Sequence, residues 1–302
     1  MSEATTLEAS APVSAPANPW LLATRPRTLP MSAAPVVAGA ALAWHDTRQI
    51  AWVVLALTLV AAAAIQIGTN LYNDAADAER GVDRRGTRRG PPRAVAMGWL
   101  GARQVKAAAL LSFTVAAVAG LLLAAVGGWP ILAIGALGVV AGLGYSAGPL
   151  PMSATPFGEV LVMLFFGVAA VTGTYLLQTG TVVIAAGVIG TMLGSFAAAV
   201  LHLNNTRDAD GDRTAGRRTL AILLGPERSI ALFAALVALP FILIVASPLQ
   251  PRPWLALLAA PEAGILALAM KRATTAADYN RLLGRCVRLE AIFTGALVLA
   301  MI

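Results

Sequence analysis

Long apolar runs separated by short polar or Gly/Pro-containing breaks dominate the chain. Nine of them, about 29–45, 50–71, 107–126, 130–146, 157–177, 182–203, 229–247, 254–270 and 287–302, are candidate membrane spans. A helix that crosses a bilayer needs roughly 20 mostly apolar residues. The breaks have helix-ending chemistry. Gly127-Gly128-Trp129-Pro130, Gly148-Pro149-Leu150-Pro151 and Pro248-Leu249-Gln250-Pro251 each interrupt the run before them, since proline lacks the N–H a helix needs. The pattern predicts one all-α, polytopic membrane bundle of nine transmembrane helices. Glu262 interrupts the eighth run, and the ninth is short. The polar stretch Ala273 to Arg285 reads as a connection or an amphipathic helix.

Composition sharpens this. Hydrophobic residues make up 58% and charged residues only 12%, with a mean hydropathy of +0.75. Soluble domains run at roughly 45–50% apolar and 25% charged. The net charge of +7 does not point to nucleic acid, because the basic residues sit in short loops between apolar runs rather than in a basic arm or domain. They serve membrane orientation instead. With the N-terminus inside and sides alternating, 20 of the 22 Lys and Arg fall on the inner side, and only Arg48 and Arg252 fall outside. Such a bias is the signature of cytoplasmic loops, so a bacterial inner or cell membrane is expected, with the N-terminus cytoplasmic. Cys286 is the only cysteine, which excludes an intramolecular disulfide or a cysteine-rich metal centre. Residues 1–18, rich in Ala, Ser and Pro, are expected to be a disordered tail ahead of a single domain at 19–302.

This topology puts two acid-rich segments on the inner side, one after the second run and one after the sixth. If helix continues through the first, Asn70, Asn73, Asp74 and Asp77 fall at i, i+3, i+4 and i+7 and share a face, with Asp83 beyond. In the second, Asn204, Asp208 and Asp212 form an i, i+4, i+8 stripe beside Asn205. Seven of the fifteen acidic residues lie in these segments although basic residues dominate that side. Clustered carboxylates repel unless a cation lies between them, and oxygen-only donors suit a hard one such as Mg²⁺. Mg²⁺ usually takes one or two carboxylates plus substrate phosphates. Two facing clusters therefore suit a diphosphate, with Arg88, Arg89, Arg93, Arg217 and Arg218 available to neutralise it. Polar helix ends solvated at the headgroups are the plainer alternative, which two clusters together weaken.

The motif Asn73-Asp74-x-x-Asp77 with Asp83, paired with Asp208-x-x-x-Asp212, resembles the intramembrane aromatic prenyltransferases, the superfamily of 4-hydroxybenzoate polyprenyltransferase. Within it the chain looks most like the 1,4-dihydroxy-2-naphthoate polyprenyltransferase branch. Arg25-Pro26-Arg27-Thr28-Leu29-Pro30, Gly90-Pro91-Pro92-Arg93, Gly158-Glu159, Gly173-Thr174-Tyr175, Gln178-Thr179 and Asn204-Asn205-x-Arg207-Asp208 with Arg218-Thr219-Leu220 carry that likeness, over about 19–300. The resemblance implies nine helices around a central cavity capped by cytoplasmic loops. It further implies Mg²⁺-dependent transfer of a polyprenyl group from polyprenyl diphosphate to an aromatic acid, with loss of CO₂ and formation of a demethylmenaquinone. Carried over by motif, Asn73, Asp74, Asp77, Asp83, Asp208 and Asp212 are the metal set, with Asp77, Asp208 and Asp212 essential to catalysis. Arg93 and Arg218 contact phosphate, and Asn70, Asn73, Asn204 and Asn205 also bind substrate. The chain departs from the naphthoate pattern at Tyr145-Ser146-Ala147-Gly148-Pro149 and at Ala75 and Pro92, which bears on the acceptor rather than the diphosphate.

Other residues admit two readings. Arg25 and Arg27 are ligand contacts or orientation signals. Glu159, expected to bind substrate, must find a partner or face a wet cavity. Tyr145, also assigned to substrate, and Tyr175 line the cavity or anchor at the interface. His202 is a base or the filling of a polar helix end. The rival functions are prenyl transfer to 4-hydroxybenzoate or another ring, and a transporter with a polar cytoplasmic-side site. A transporter would place charges within the spans, where few are found. Oligomeric state is not written in the pattern.

Overall fold

The computed structural model describes residues 15–82, 90–148, 150–247, 249 and 253–302. Among them every regular element is helical. A short helix α1 (Pro19–Thr24), capped by the Asn18 side chain accepting from Leu21 N–H, leads into α2 (Pro30–Thr47), α3 (Trp52–Glu79), α4 (Ala102–Gly127) and α5 (Trp129–Gly144). Next come α6 (Gly158–Met163), a π-helical turn (Leu164–Ala169) and α7 (Ala170–Thr179) as one continuous stretch. Then follow α8 (Ile184–Thr214), α9 (Leu220–Ala246), a 3₁₀ turn (Trp254–Ala259) running into α10 (Ala260–Arg272), and α11 (Ala276–Met301).

Each apolar run overlaps one helical stretch, but the count of nine spans is not what length and apolarity support. Among the described residues six stretches are long and apolar enough to cross a membrane: α3, α4, α6 to α7, α8, α9 and the 3₁₀ turn with α10; α5 is a shorter apolar helix. The two at the ends of the chain differ for visible reasons. α2 finishes in His45-Asp46-Thr47, and α11 carries Arg281, Arg285, Arg288 and Glu290.

Helix boundaries also differ from the apolar boundaries. α3 runs on through Glu79 and α8 through Thr214, so both polar segments are helical. α9 starts nine residues before its apolar run and bends where Gly225, at φ 73°, precedes Pro226; glycine tolerates that angle and proline cannot extend the ladder through it. α11 absorbs most of the expected connection. Thr275 accepts from Asp278 N–H while the Asp278 carboxylate accepts from Thr275 N–H, a reciprocal cap that starts the helix at Ala276.

α8 is the axis of the bundle, packed on α9, on α11 and on the α6 to α7 stretch. Phe196 of α8 stacks edge-on against Phe241 of α9 and Phe293 of α11, with ring centroids 6.2 and 5.3 Å away. On its other side small residues allow close approach. A Cβ on Gly194 would lie 2.3 Å from the Met163 carbonyl oxygen, and one on Gly167 would lie 2.2 Å from that of Gly190. Without a hydrophobic drive between helices in lipid, such backbone-to-backbone packing is a main source of association.

Between α2, α3, α4, α5 and α6 to α7 lies an apolar cavity of about 190 Å³. Thr69, Tyr145 and Met152 line its end at the face where α3 ends, and Leu123, Ile131 and Leu177 line the opposite end. Phe165 and Phe166, in the π-helical turn, form part of its wall.

Candidate active site

At the C-terminal end of α3, Asp77 is 3% exposed and is the centre of a polar network. Asn73 Nδ2, one turn earlier, donates to Asp77 Oδ2 at 3.1 Å and to Ser146 Oγ at 2.8 Å. Arg25 Nη2 donates to Asn73 Oδ1 at 3.1 Å, so the loop after α1 is drawn into the site. Arg93 approaches Asp77 at 3.7 Å.

The second polar segment meets the first through Arg217, which follows the end of α8. Its Nη2 donates to Asp77 Oδ1 at 2.7 Å, and its Nη1 donates to Asp212 Oδ1 at 3.3 Å. Two carboxylates 135 positions apart are thereby held a guanidinium's width from each other. Burial works to lower the Arg217 pKa, but the Asp77 and Asp212 charges outweigh it and hold the guanidinium above its ordinary value, so Arg217 is a permanent cation.

The remaining assigned residues divide into those near this bridge and those engaged elsewhere. Both oxygens of Asp74 accept backbone N–H groups, from Ala94 at 3.0 Å and Val95 at 3.3 Å, so this carboxylate fastens the segment that carries Arg93. Asp208 is paired with Arg207 at 2.9 and 2.6 Å, and Arg207 also donates to Asn280 of α11 at 2.7 Å. Asn70 donates to the Thr24 carbonyl and Asn204 to the Val200 carbonyl. Arg218 is exposed; its backbone N–H donates to the Ala154 carbonyl, and its neighbour Arg217 takes the bridging place. Arg80 donates to the Ser146 and Gly148 carbonyls. Tyr145 lines the cavity mouth, whereas the Tyr175 hydroxyl donates to Asp46 at 2.7 Å at the far end of the bundle. Asp83, Arg88 and Arg89 lie outside the described residues.

The sequence did not single out Ser146, and it left Arg25 and His202 undecided. Ser146 has no local signal, because its role comes from a partner 73 positions away. His202 forms a buried cluster with Glu159 and Asn205.

Among the described residues no three acidic, histidine or cysteine side chains converge to hold a metal by themselves. The donor set still fits a cation shared with a phosphate ligand. Asp77 and Asp212 supply hard oxygens around a position now filled by a guanidinium, and Mg²⁺ characteristically takes only one or two carboxylates and completes its shell with water and phosphate.

An all-helical membrane bundle with a charged, arginine-bridged mouth over an apolar cavity defines a class that joins a polar head site to a lipid-like tail site. A solved UbiA homologue from Archaeoglobus fulgidus, described as bound to DMAPP and Mg²⁺, shares this fold with a TM-score of 0.68, covering 94% of this chain and 99% of that one at 17% identity. The UbiA prenyltransferase family profile matches residues 32–282, and the chain belongs to that family; it is an aromatic prenyltransferase. Its relatives include the 1,4-dihydroxy-2-naphthoate octaprenyltransferases of Mycobacterium tuberculosis, 38% identical over 76% of this chain and 79% of that protein, and of Escherichia coli, 34% identical over 68% of each.

Proposed function

We infer that the protein transfers a polyprenyl group from polyprenyl diphosphate to 1,4-dihydroxy-2-naphthoate, with loss of CO₂, to give a demethylmenaquinol, the reduced form of a demethylmenaquinone, and that it does so with Mg²⁺ at the cytoplasmic side of a bacterial inner or cell membrane. The observation that carries the reading is the Arg217-bridged Asp77 and Asp212 pair above a cavity lined almost wholly by apolar side chains, in a chain whose relatives bear the naphthoate octaprenyltransferase name. The lipid-like tail of the donor suits the cavity, and its diphosphate suits the arginines and carboxylates. The inner-side excess of Lys and Arg supports the orientation.

Asp77 and Asp212, with Asn73 and Asp208 beside them and Asp83 as a further donor, would hold Mg²⁺, which supplies charge neutralisation for a leaving diphosphate. Arg93 and Arg217 provide fixed positive charge for phosphate oxygens. Asn73, held by Arg25 and Ser146, keeps Asp77 oriented. The apolar walls exclude water from an allylic carbon that becomes cation-like as the C–O bond breaks. Arg218 and Asn70 contribute by fixing backbone at the rim.

The test is to incubate the purified protein in lipid with Mg²⁺, a prenyl diphosphate and a panel of aromatic acids, following product and CO₂ by mass. Prenylated, decarboxylated naphthoate product is expected. Product with 4-hydroxybenzoate alone would reassign the acceptor, and no prenylation of any ring would sink the reading. Asp77→Ala and Asp212→Ala should lower turnover at least a hundredfold in protein that stays folded.

A further inference from the structure

A second buried polar cluster stands beside the diphosphate site and is not needed to hold diphosphate. Glu159, in the first turn of α6, is 4% exposed. Its Oε1 accepts from Asn205 Nδ2 at 3.1 Å and lies 3.0 Å from His202 Nδ1. Its Oε2 is buried with no hydrogen-bond partner among the described residues. His202 is fully buried, with Nε2 3.2 Å from the Ser229 carbonyl oxygen of α9.

The protons can be counted from these contacts. A carbonyl oxygen has only lone pairs to offer, so Nε2 carries a hydrogen. Nδ1 and Glu159 Oε1 then share one proton, since without it two lone pairs would face each other at 3.0 Å. Oε1 is thus saturated by the shared proton and the Asn205 amide. Oε2 is left as the one open acceptor of the cluster.

The place of Glu159 on α6 follows from helix geometry. Glu159 and Val162 fall at i and i+3, on one face of α6. Val162 lines the cavity, which places Glu159 on the same face one turn nearer the mouth. Tyr145 lines the mouth, and its neighbour Ser146 accepts from Asn73 of the Asp77 network, so the two polar clusters flank one opening.

Resting on the naphthoate reading above, we propose that Glu159 is a catalytic residue for the acceptor: its Oε2 accepts a ring hydroxyl and takes that proton as the ring attacks, and His202 is the positioning residue that holds it. In the step, the ring carbon bonds to C1 of the prenyl chain. The C1–O bond breaks with its electron pair leaving on diphosphate. The hydroxyl proton passes to Oε2, and the O–H pair becomes the carbonyl bond of a dienone. When the carboxylate departs as CO₂, the C–C pair restores the aromatic ring and the oxygen recovers its proton from Oε2. The base is reset each turnover, and no net proton is consumed.

The experiment compares wild type, Glu159→Gln and His202→Ala on 1,4-dihydroxy-2-naphthoate and on its two monomethyl ethers, with Mg²⁺ and a prenyl diphosphate. Glutamine keeps the size of Glu159 and its contact to Asn205 but cannot take the proton. Its kcat is expected to fall about a hundredfold, within the usual range for removing a general base, with unchanged KM and binding for prenyl diphosphate. Methylating the relevant hydroxyl should cost wild type a similar factor and cost Glu159→Gln little more. His202→Ala should lower kcat without moving the KM for prenyl diphosphate. A Glu159→Gln kcat near wild type, or a methyl penalty as large in the variant as in wild type, overturns the proposal. If Glu159→Gln does not fold, wild type alone decides: full turnover of both ethers overturns it, and loss with one ether upholds it. Wild type that ignores naphthoate but prenylates 4-hydroxybenzoate refutes the acceptor assignment alone, and the same comparison on that phenol and its methyl ether then decides the role of Glu159.

Discussion

Arg217 neutralises the Asp77 and Asp212 pair. Asp77 and Asp212 would otherwise face each other in a partly buried setting, where like charges are costly. Replacing it by methionine should lower the thermal midpoint of the metal-free protein, and added Mg²⁺ should recover more stability in Arg217→Met than in wild type. An equal Mg²⁺ effect in both would count against a cation site between the two carboxylates. Glu290 presents the opposite case. It is 1% exposed on α11, with Oε1 lacking a hydrogen-bond partner among the described residues, and relieving an unsatisfied buried polar atom is worth roughly 1–3 kcal/mol. Glu290→Met should therefore raise the unfolding midpoint in detergent. At this scale the sequence was a partial guide. It grouped two carboxylates that the structure brings together, Asp77 and Asp212, but Arg217 and Arg218 are adjacent and chemically identical, and only the turn after α8 decides which one points between them. Asp74 shows the same limit, because backbone N–H groups that claim a carboxylate leave no trace in a spacing rule.

Helix ends were the least legible elements. Apolarity marks where side chains meet lipid or core, whereas the hydrogen-bond ladder continues wherever no residue breaks it. Hence α3 and α8 pass through polar segments, and α11 starts where Thr275 and Asp278 cap it. The Thr275 N–H, the Thr275 hydroxyl and the Thr274 N–H hold the Asp278 carboxyl down to about 2. That cap contributes fully above the ordinary carboxylate range and is lost only as pH falls through about 2. Thr275→Ala should cost about 1 kcal/mol, as loss of a good N-cap does, read from the thermal midpoint at neutral pH. The crossing of α8 with the α6 stretch is more demanding. With Met163 carbonyl oxygen 2.3 Å from a Cβ at Gly194, Gly194→Val forces the helices apart and should destabilise by roughly 1–3 kcal/mol. A variant with an unchanged midpoint would mean that this approach is not part of the folded state.

For the molecule as a whole, composition and run length sufficed to read a helical membrane bundle, because lipid as solvent leaves few architectures open. The cavity was not legible, since the residues of its wall come from five helical stretches and share only small size or apolarity. Gly135 lines it, and a Cβ there meets nothing within 4 Å, so the position tolerates bulk in the fold while reducing the free volume. Gly135→Phe should raise the KM for a long-chain prenyl diphosphate more than for a five-carbon one, at unchanged thermal stability; equal effects on both would place the tail elsewhere. The overrun of α8 has a further consequence. At 31 residues and 1.5 Å per residue it is about 46 Å long, against roughly 30 Å of hydrocarbon. Its Asp212 end therefore stands at or beyond the headgroups while its middle lies in oil. A molecule with an ionic head and a greasy tail is sorted by depth alone: after cleavage the head departs into water, the tail remains dissolved in lipid, and the products separate by solubility without any part of the protein having to move them apart.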